Sequence, residues 1–164
     1  MLRSWGVILI GISIAVVMGS IGCTLGGGRG GEGNTDTNSV RNSQLDLAPD
    51  IVLTVYTGKD KLGGRLVNLS ELFGTPIVLN FWAGLCPPCT AEMPDLQEFH
   101  DEFKDRVLLL GVDVGRYTGL GDRLDALKLL DDLGITYPTA FDRDGNSVQN
   151  YEVFNMPTTI FINS

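Results

Sequence analysis

The residues best suited to chemistry lie in one short stretch, FWAGLCPPCTAEMP, from Phe81 to Pro94. The chain has three cysteines, and two of them, Cys86 and Cys89, stand three apart around Pro87 and Pro88. They fall where a run of apolar residues meets a run with helical spacing. Proline is tolerated in the first turn of a helix, because the N–H it lacks has no intrahelical partner there. Cys86 would then face unpaired N–H groups and the positive end of the helix dipole, a field that favours thiolate over thiol. Cys89 lies one turn along, within disulfide reach, with its sulfur directed inward. An exposed nucleophile backed by a shielded resolving thiol suits exchange through a mixed disulfide. A permanent structural bridge is the competing reading, but a loop this short constrains the unfolded chain little.

Other ligands for the pair are scarce. A structural zinc site takes four, and the remaining candidates are His100 and Cys23, the latter beyond a long Gly-rich stretch. Neither metal nor cofactor is expected. Glu92 follows Cys89 by three residues, about one helical turn, so its carboxylate can approach the inner sulfur and handle its proton. The competing reading is an ordinary solvated glutamate. His100 sits among charged neighbours and reads as a surface or boundary histidine. DRDG, from Asp142 to Gly145, lacks the full spacing of a calcium loop and reads as a turn. The stripe Leu124, Leu127, Leu130 reads as core packing.

The elements that must hold these residues are legible in the same way. IVLTVY and LGGRLVNL read as strands joined through a Gly-Gly turn, and SELFG as a short helical turn. TPIVLNFWA and RVLLLGVDV are apolar throughout, which suits strands covered on both faces. Met93, Leu96, Phe99 and Phe103 recur at helical spacing after the cysteines. LGDRLDALKLLDDLG reads as a helix ending at Gly134, TYPTAFD as a short strand, NSVQNYEV as a short helix and MPTTIFIN as a last strand. Strands alternating with helices imply a parallel or mixed sheet with helices on both faces.

Composition bounds the partners. The chain has 164 residues and a formal net charge of −8. Residues 1–45 carry three basic and two acidic side chains, so the remainder holds 9 basic against 18 acidic. A surface that negative repels phosphate backbones and argues against a nucleic-acid partner. Trp5 to Gly22 is an uncharged apolar run after Arg3, the pattern of a secretion signal or signal anchor, with the N-terminus inside. It ends in S-I-G-C. Residues 1–23 therefore read either as a lipobox with lipid attachment at Cys23, although Ser20 replaces the usual Leu, or as an uncleaved membrane helix. Residues 24–49 are rich in Gly, Asn, Ser and Thr and read as a flexible linker. The domain is expected over residues 50–164.

FWAGLCPPC followed by TAEMP resembles the active site of thioredoxin-like proteins, and among them the membrane-tethered TlpA/ResA group of thiol–disulfide oxidoreductases. That group usually reads W-A-x-W-C-x-x-C-x-x-E-x-P, and Trp82, Ala83, Cys86, Cys89, Glu92 and Pro94 match it. The resemblance covers roughly residues 48–164. It implies an α/β thioredoxin-like fold, a central mixed sheet with helices on both faces. Cys86 would attack, Cys89 resolve and Glu92 assist. Trp82, Pro87, Pro88, Met156, Pro157 and Thr158 would border the substrate, with Pro157 in a cis peptide bond. The implied substrates are disulfides of exported proteins, including apocytochrome c, outside the cytoplasmic membrane, with electrons from a membrane donor. Two positions depart from the pattern. Leu85 replaces the usual Trp, and Asn80 stands where cytoplasmic thioredoxins carry a buried Asp. The family also continues past the point where this sequence stops, so the domain reads as truncated before a last strand and a closing helix. Two other functions remain open: a peroxiredoxin-like antioxidant enzyme, which would use a lone cysteine after P-x-x-x-T/S-x-x-C, and a redox-inert or metal-carrying binding module.

Overall fold

The structure, a computed structural model, describes residues 47–164. The readings of residues 1–23 as a signal or anchor, of Cys23 as a lipid site, and of the linker up to residue 46 lie outside the described residues. Six strands form one mixed sheet in the order β2-β1-β5-β4-β3-β6: β1 Val52–Thr57, β2 Leu66–Asn68, β3 Ile77–Trp82, β4 Leu108–Asp113, β5 Thr139–Asp142 and β6 Thr158–Ile162. β3–β4 and β4–β5 run parallel, while β6 joins β3, and β1 joins β2 and β5, antiparallel.

The covered strands are the ones that lack polar alternation. Every residue of β3 is buried. Leu79 and Phe81 pack on one face with Leu62, Leu69 and Val148. Val78 and Trp82 pack on the other with Cys89, Met93, Leu129 and Leu130. Helices α1 Lys59–Leu62 and α5 Asn146–Asn150 serve the first face, and α2 Pro87–Phe103 and α4 Arg123–Asp132 the second. Helices therefore cover both faces, as the alternation of elements implied. A 3-10 turn spans Leu69–Leu72, and a one-turn helix, α3 Gly115–Thr118, had no sequence signal.

Two readings of side-chain placement need correction. Leu124 is 74% exposed and Leu127 is partly exposed, so the stripe through them is not core. α4 starts one residue after its cap, Asp122, whose carboxylate accepts from the Leu124 and Asp125 N–H groups while Asp125 accepts from Asp122 N. That start, with the sheet lying beneath, turns Ala126, Leu129 and Leu130 inward. His100 is buried, its ring 6.3 Å from that of Tyr137. It lies one turn beyond the 93/96 face of α2, among residues whose charged neighbours point outward.

α4 also fixes the loop before the cysteines. A Cβ on Gly84 would stand 2.5 Å from Ala126 N and from the Asp125 carbonyl carbon. Both are backbone atoms and cannot swing aside. Gly84→Ala is expected to cost about 3 kcal/mol, the upper end of overpacking, read as a lower urea midpoint, and to displace Leu85 and Cys86.

Burial lowers the pKa of His100, with Lys61 and Lys104 acting in the same sense and Asp101 opposing. The folded protein therefore binds this proton less readily than the unfolded chain. The contribution to stability is complete above the unfolded value of about 6.5 and is lost as pH falls through the lower folded value. Thermal unfolding of His100→Leu should show a shallower loss of melting temperature between neutral pH and pH 5 than the parent chain. Equal slopes would remove His100 as a cause.

Candidate redox site

β3 ends at Trp82, and four residues later Cys86 caps α2. The cap has extended backbone, φ −107° and ψ 102°, and the two prolines occupy the first helical positions. Cys86 and Cys89 form a disulfide across a Cα–Cα distance of 5.3 Å. The Cys89 N–H, at the third helical position, donates to Cys86 Sγ at 3.3 Å. The outer sulfur thus sits on the N–H end of the helix, where negative charge is favoured.

The exposure of the pair differs from expectation. Cys89 is fully buried, and Cys86 is only 2% exposed rather than open. In the disulfide form Cys86 is held in toward Cys89, and Pro87, Pro88 and Met156 stand around it. Access runs through a groove of about 380 Å³ beside Cys86, also lined by Pro87, Pro88, Thr118, Phe154 and Met156. A larger apolar depression of about 450 Å³, near Phe73, Tyr151 and Phe161, contains neither cysteine. The groove lined by Cys86 is the functional candidate.

The Met156–Pro157 peptide bond is cis. Met156 packs against both hydrophobic clusters, and Thr158 Oγ1 donates to the Asn155 carbonyl at 2.6 Å. Trp82, expected at the substrate surface, is fully buried beneath the cysteines. The period-two alternation of β3 turns it toward α2, so it packs beneath the pair and not at the surface.

Glu92 reaches the sheet. Asn80 Nδ2 donates to Glu92 Oε1 at 2.7 Å and to Thr159 Oγ1 at 3.1 Å. Asn80 is fully buried, and its Oδ1 finds no partner among the described residues. Glu92 is therefore held on the buried side of α2 rather than free in solvent. Its charge reaches Tyr137, whose phenol is pushed up chiefly by burial and then by Glu92.

Sequence reasoning missed the supports of the loop. Asp113, at the end of β4 and paired with Trp82 in register, is 1% exposed. Its Oδ1 accepts from Gly115 N at 2.9 Å, and its Oδ2 from the Tyr56 hydroxyl at 2.9 Å. Burial raises its pKa, and these two bonds act against the rise. Gly115 O accepts from Leu120 N, and Leu120 O accepts from Leu85 N at 2.8 Å. A path of hydrogen bonds thus runs from β1 to the residue before Cys86. An acidic residue inside an otherwise apolar strand was the available signal. Among the described residues, no group of three or more His, Cys, Asp or Glu side chains could hold a metal ion, and no helix is long and apolar enough to cross a membrane.

A mixed sheet of this order, with a CxxC disulfide at a helix start and a cis Met156–Pro157 bond whose Met156 lines the same groove, is a thioredoxin-like domain. Residues 45–164 match the AhpC/TSA family, and the chain belongs to it. Among curated proteins it is similar to thiol-disulfide oxidoreductase ResA of Oceanobacillus iheyensis, 35% identical over 117 residues, covering 71% of this chain and 58% of that protein. The ResA of Geobacillus kaustophilus is 34% identical over 116 residues, 70% of this chain and 60% of that protein. The chain thus spans less than two thirds of the length of these relatives. Among solved structures, the pneumococcal exposed lipoprotein thioredoxin Etrx1 of Streptococcus pneumoniae is 30% identical with a TM-score of 0.55, covering 70% of this chain and 82% of that one.

If the carboxylate of Glu92 moves the proton of Cys89, Glu92→Gln should slow the resolving step about 100-fold, the low end for a positioned proton-transfer group, and change its pH–rate profile. An unchanged profile would remove Glu92 from the step.

Proposed function

We propose that this protein is a thiol–disulfide oxidoreductase that reduces disulfides in exported proteins from a membrane-tethered position on the extracytoplasmic side. The observation that carries the reading is the Cys86–Cys89 disulfide at the start of α2, with an open groove beside Cys86. The similarity to proteins named ResA supports it. In the dithiol form, the Cys86 thiolate attacks a substrate disulfide. One protein–substrate S–S bond forms, the substrate S–S bond breaks, and the departing thiolate takes a proton. Cys89, deprotonated with the help of Glu92, then attacks Cys86 Sγ. The Cys86–substrate S–S bond breaks, and the released substrate thiolate takes a proton. The substrate leaves as a dithiol, two electrons richer, while the protein has lost those two electrons and is left as the Cys86–Cys89 disulfide. A membrane-embedded dithiol donor restores the reduced pair, and apocytochrome c is among the substrates. Pro87, Pro88, Met156, Pro157 and Thr158 border the substrate chain.

The tether is the apolar segment within residues 1–23, either as a lipid on Cys23 or as an uncleaved helix, with residues 24–49 as linker. The lipoprotein named among the structural neighbours supports the first form. A peroxide-reducing role is disfavoured because neither cysteine follows a P-x-x-x-T/S-x-x-C pattern: Leu79 and Trp82 stand where the proline would be.

Thiol trapping with mass spectrometry tests the assignment. In the reduced chain at neutral pH, Cys86 should alkylate faster than Cys89. Cys89→Ser should accumulate a mixed disulfide on Cys86, and Cys86→Ser should form none. Equal, slow labelling of both thiols, at the rate of free cysteine, would overturn the enzymatic reading.

A further inference from the structure

The groove beside Cys86 has a chemistry of its own. None of its nine lining residues is charged, although the chain carries −8 overall. Thr118, one of its two polar residues, has its hydroxyl committed to the Val114 and Gly115 carbonyls. The rest of the lining is mostly apolar, with Leu120, Val153, Phe154 and Met156 opposite the two prolines.

Phe154 stands out. It is 83% exposed, more than any other aromatic residue described. The backbone around it is fastened. Val153, one residue before, is buried in the core, and its N–H donates to Val148 O at 2.9 Å. Phe154 N donates to Glu152 O at 2.8 Å. Glu152 is the one non-glycine residue with positive φ, 51°, among the described residues. A left-handed residue with a side chain costs about 1–2 kcal/mol, and such outliers concentrate where a site is being shaped. The turn therefore fixes a large apolar side chain at the rim of the groove, in water, at a conformational cost. Leu85, 58% exposed, presents a second apolar side chain immediately before Cys86.

We infer that Phe154 is a specificity-determining residue, and that the groove selects polypeptide disulfides carrying a large aliphatic or aromatic side chain next to the cysteine that Cys86 attacks. This rests on the exchange reading above. A groove of 380 Å³ is about 7 Å across if equant, or about two extended residues at ~3.3 Å each. The contact therefore reads the one or two residues flanking the cysteine. Burying such a side chain against Phe154 removes apolar surface of both from water. An acidic flank finds no counter-charge in the lining and meets the negative field of the domain.

Single-turnover reactions of the reduced full-length chain, in mild detergent, test this. The probes are short peptides with one disulfide whose flanking residue is Leu, Phe, Ser or Glu, plus bis(2-hydroxyethyl) disulfide as a flank-free control. The second-order rate constant should be about tenfold higher for Leu and Phe than for Ser, with Glu lower still. Salt near 0.5 M should relieve only the Glu penalty, since it screens charge and not burial. Phe154→Ala should bring the Leu/Ser ratio below about threefold, and Phe154→Leu should retain most of it. At 83% exposure, truncating this side chain opens no core cavity. Equal rates for all flanks in the parent chain, or an unchanged ratio in Phe154→Ala, would overturn the inference. If the control disulfide still reacts in that case, the exchange reading stands. If neither the peptides nor the control react, both fall.

Discussion

The structure depends on how tightly the backbone between Trp82 and Cys86 is held. Gly84 lies so close to α4 that no side chain fits, and the Leu85 N–H is bound to Leu120 O. Upstream, Val114 N donates to Trp82 O at 3.0 Å and ties the end of β3 to the strand beside it. With both ends fixed, Cys86 has one place to be, at the cap of α2. Helix capping is local, but here its geometry is set by a parallel neighbour and a distant helix.

Asp113 extends this constraint across the sheet. A buried carboxylate is costly unless its acceptor capacity is used. Asp113 uses it on a backbone N–H and a tyrosine hydroxyl. Those bonds join β1, β4 and α3, and α3 carries the chain on to Leu120. Asn80 is the counterpart on β3, fully buried and bonded to Glu92 of α2. As an amide it can donate to Glu92, which a carboxylate at the same place could not do without a proton. With an amide in place of the acid expected of a cytoplasmic thioredoxin, the carboxylate nearest this point of the sheet is the one on the helix, Glu92.

How much of this was readable in the sequence depends on the physical signal. β3 and β4 were legible because unbroken apolar runs have few other uses, and the start of α2 because two prolines fit only its first turn. The helix face of α4 was not. Leu124, Leu127 and Leu130 are spaced as well as Ala126, Leu129 and Leu130, and only the cap at Asp122 and the position of the sheet decide between them. α3 is a single turn held by tertiary hydrogen bonds, too short for any periodicity. His100 was misplaced because its neighbours in sequence are charged, while its side chain points to Tyr137. The cysteines announced themselves by spacing, but Glu92 gained its partner, Asn80, only through the fold. Phe154 gave no signal, since one aromatic residue in a short loop is indistinguishable from a core residue until its exposure is known.

The low exposure of Cys86 and the high exposure of Phe154 belong to one arrangement. A sulfur only 2% exposed cannot be met by collision from every side. A partner must first settle in the groove, and that settling is governed by the surface there rather than by the sulfur. The reaction itself is the same for any disulfide, because bond exchange between sulfurs carries little information about the chain they belong to. Discrimination therefore has to come from the walls. In this protein the walls are uncharged, apolar and held by a fastened turn, whereas the rest of the domain is strongly acidic. The cysteine pair is the same for every partner, and under the inference drawn above the residues around the groove decide which partners reach it.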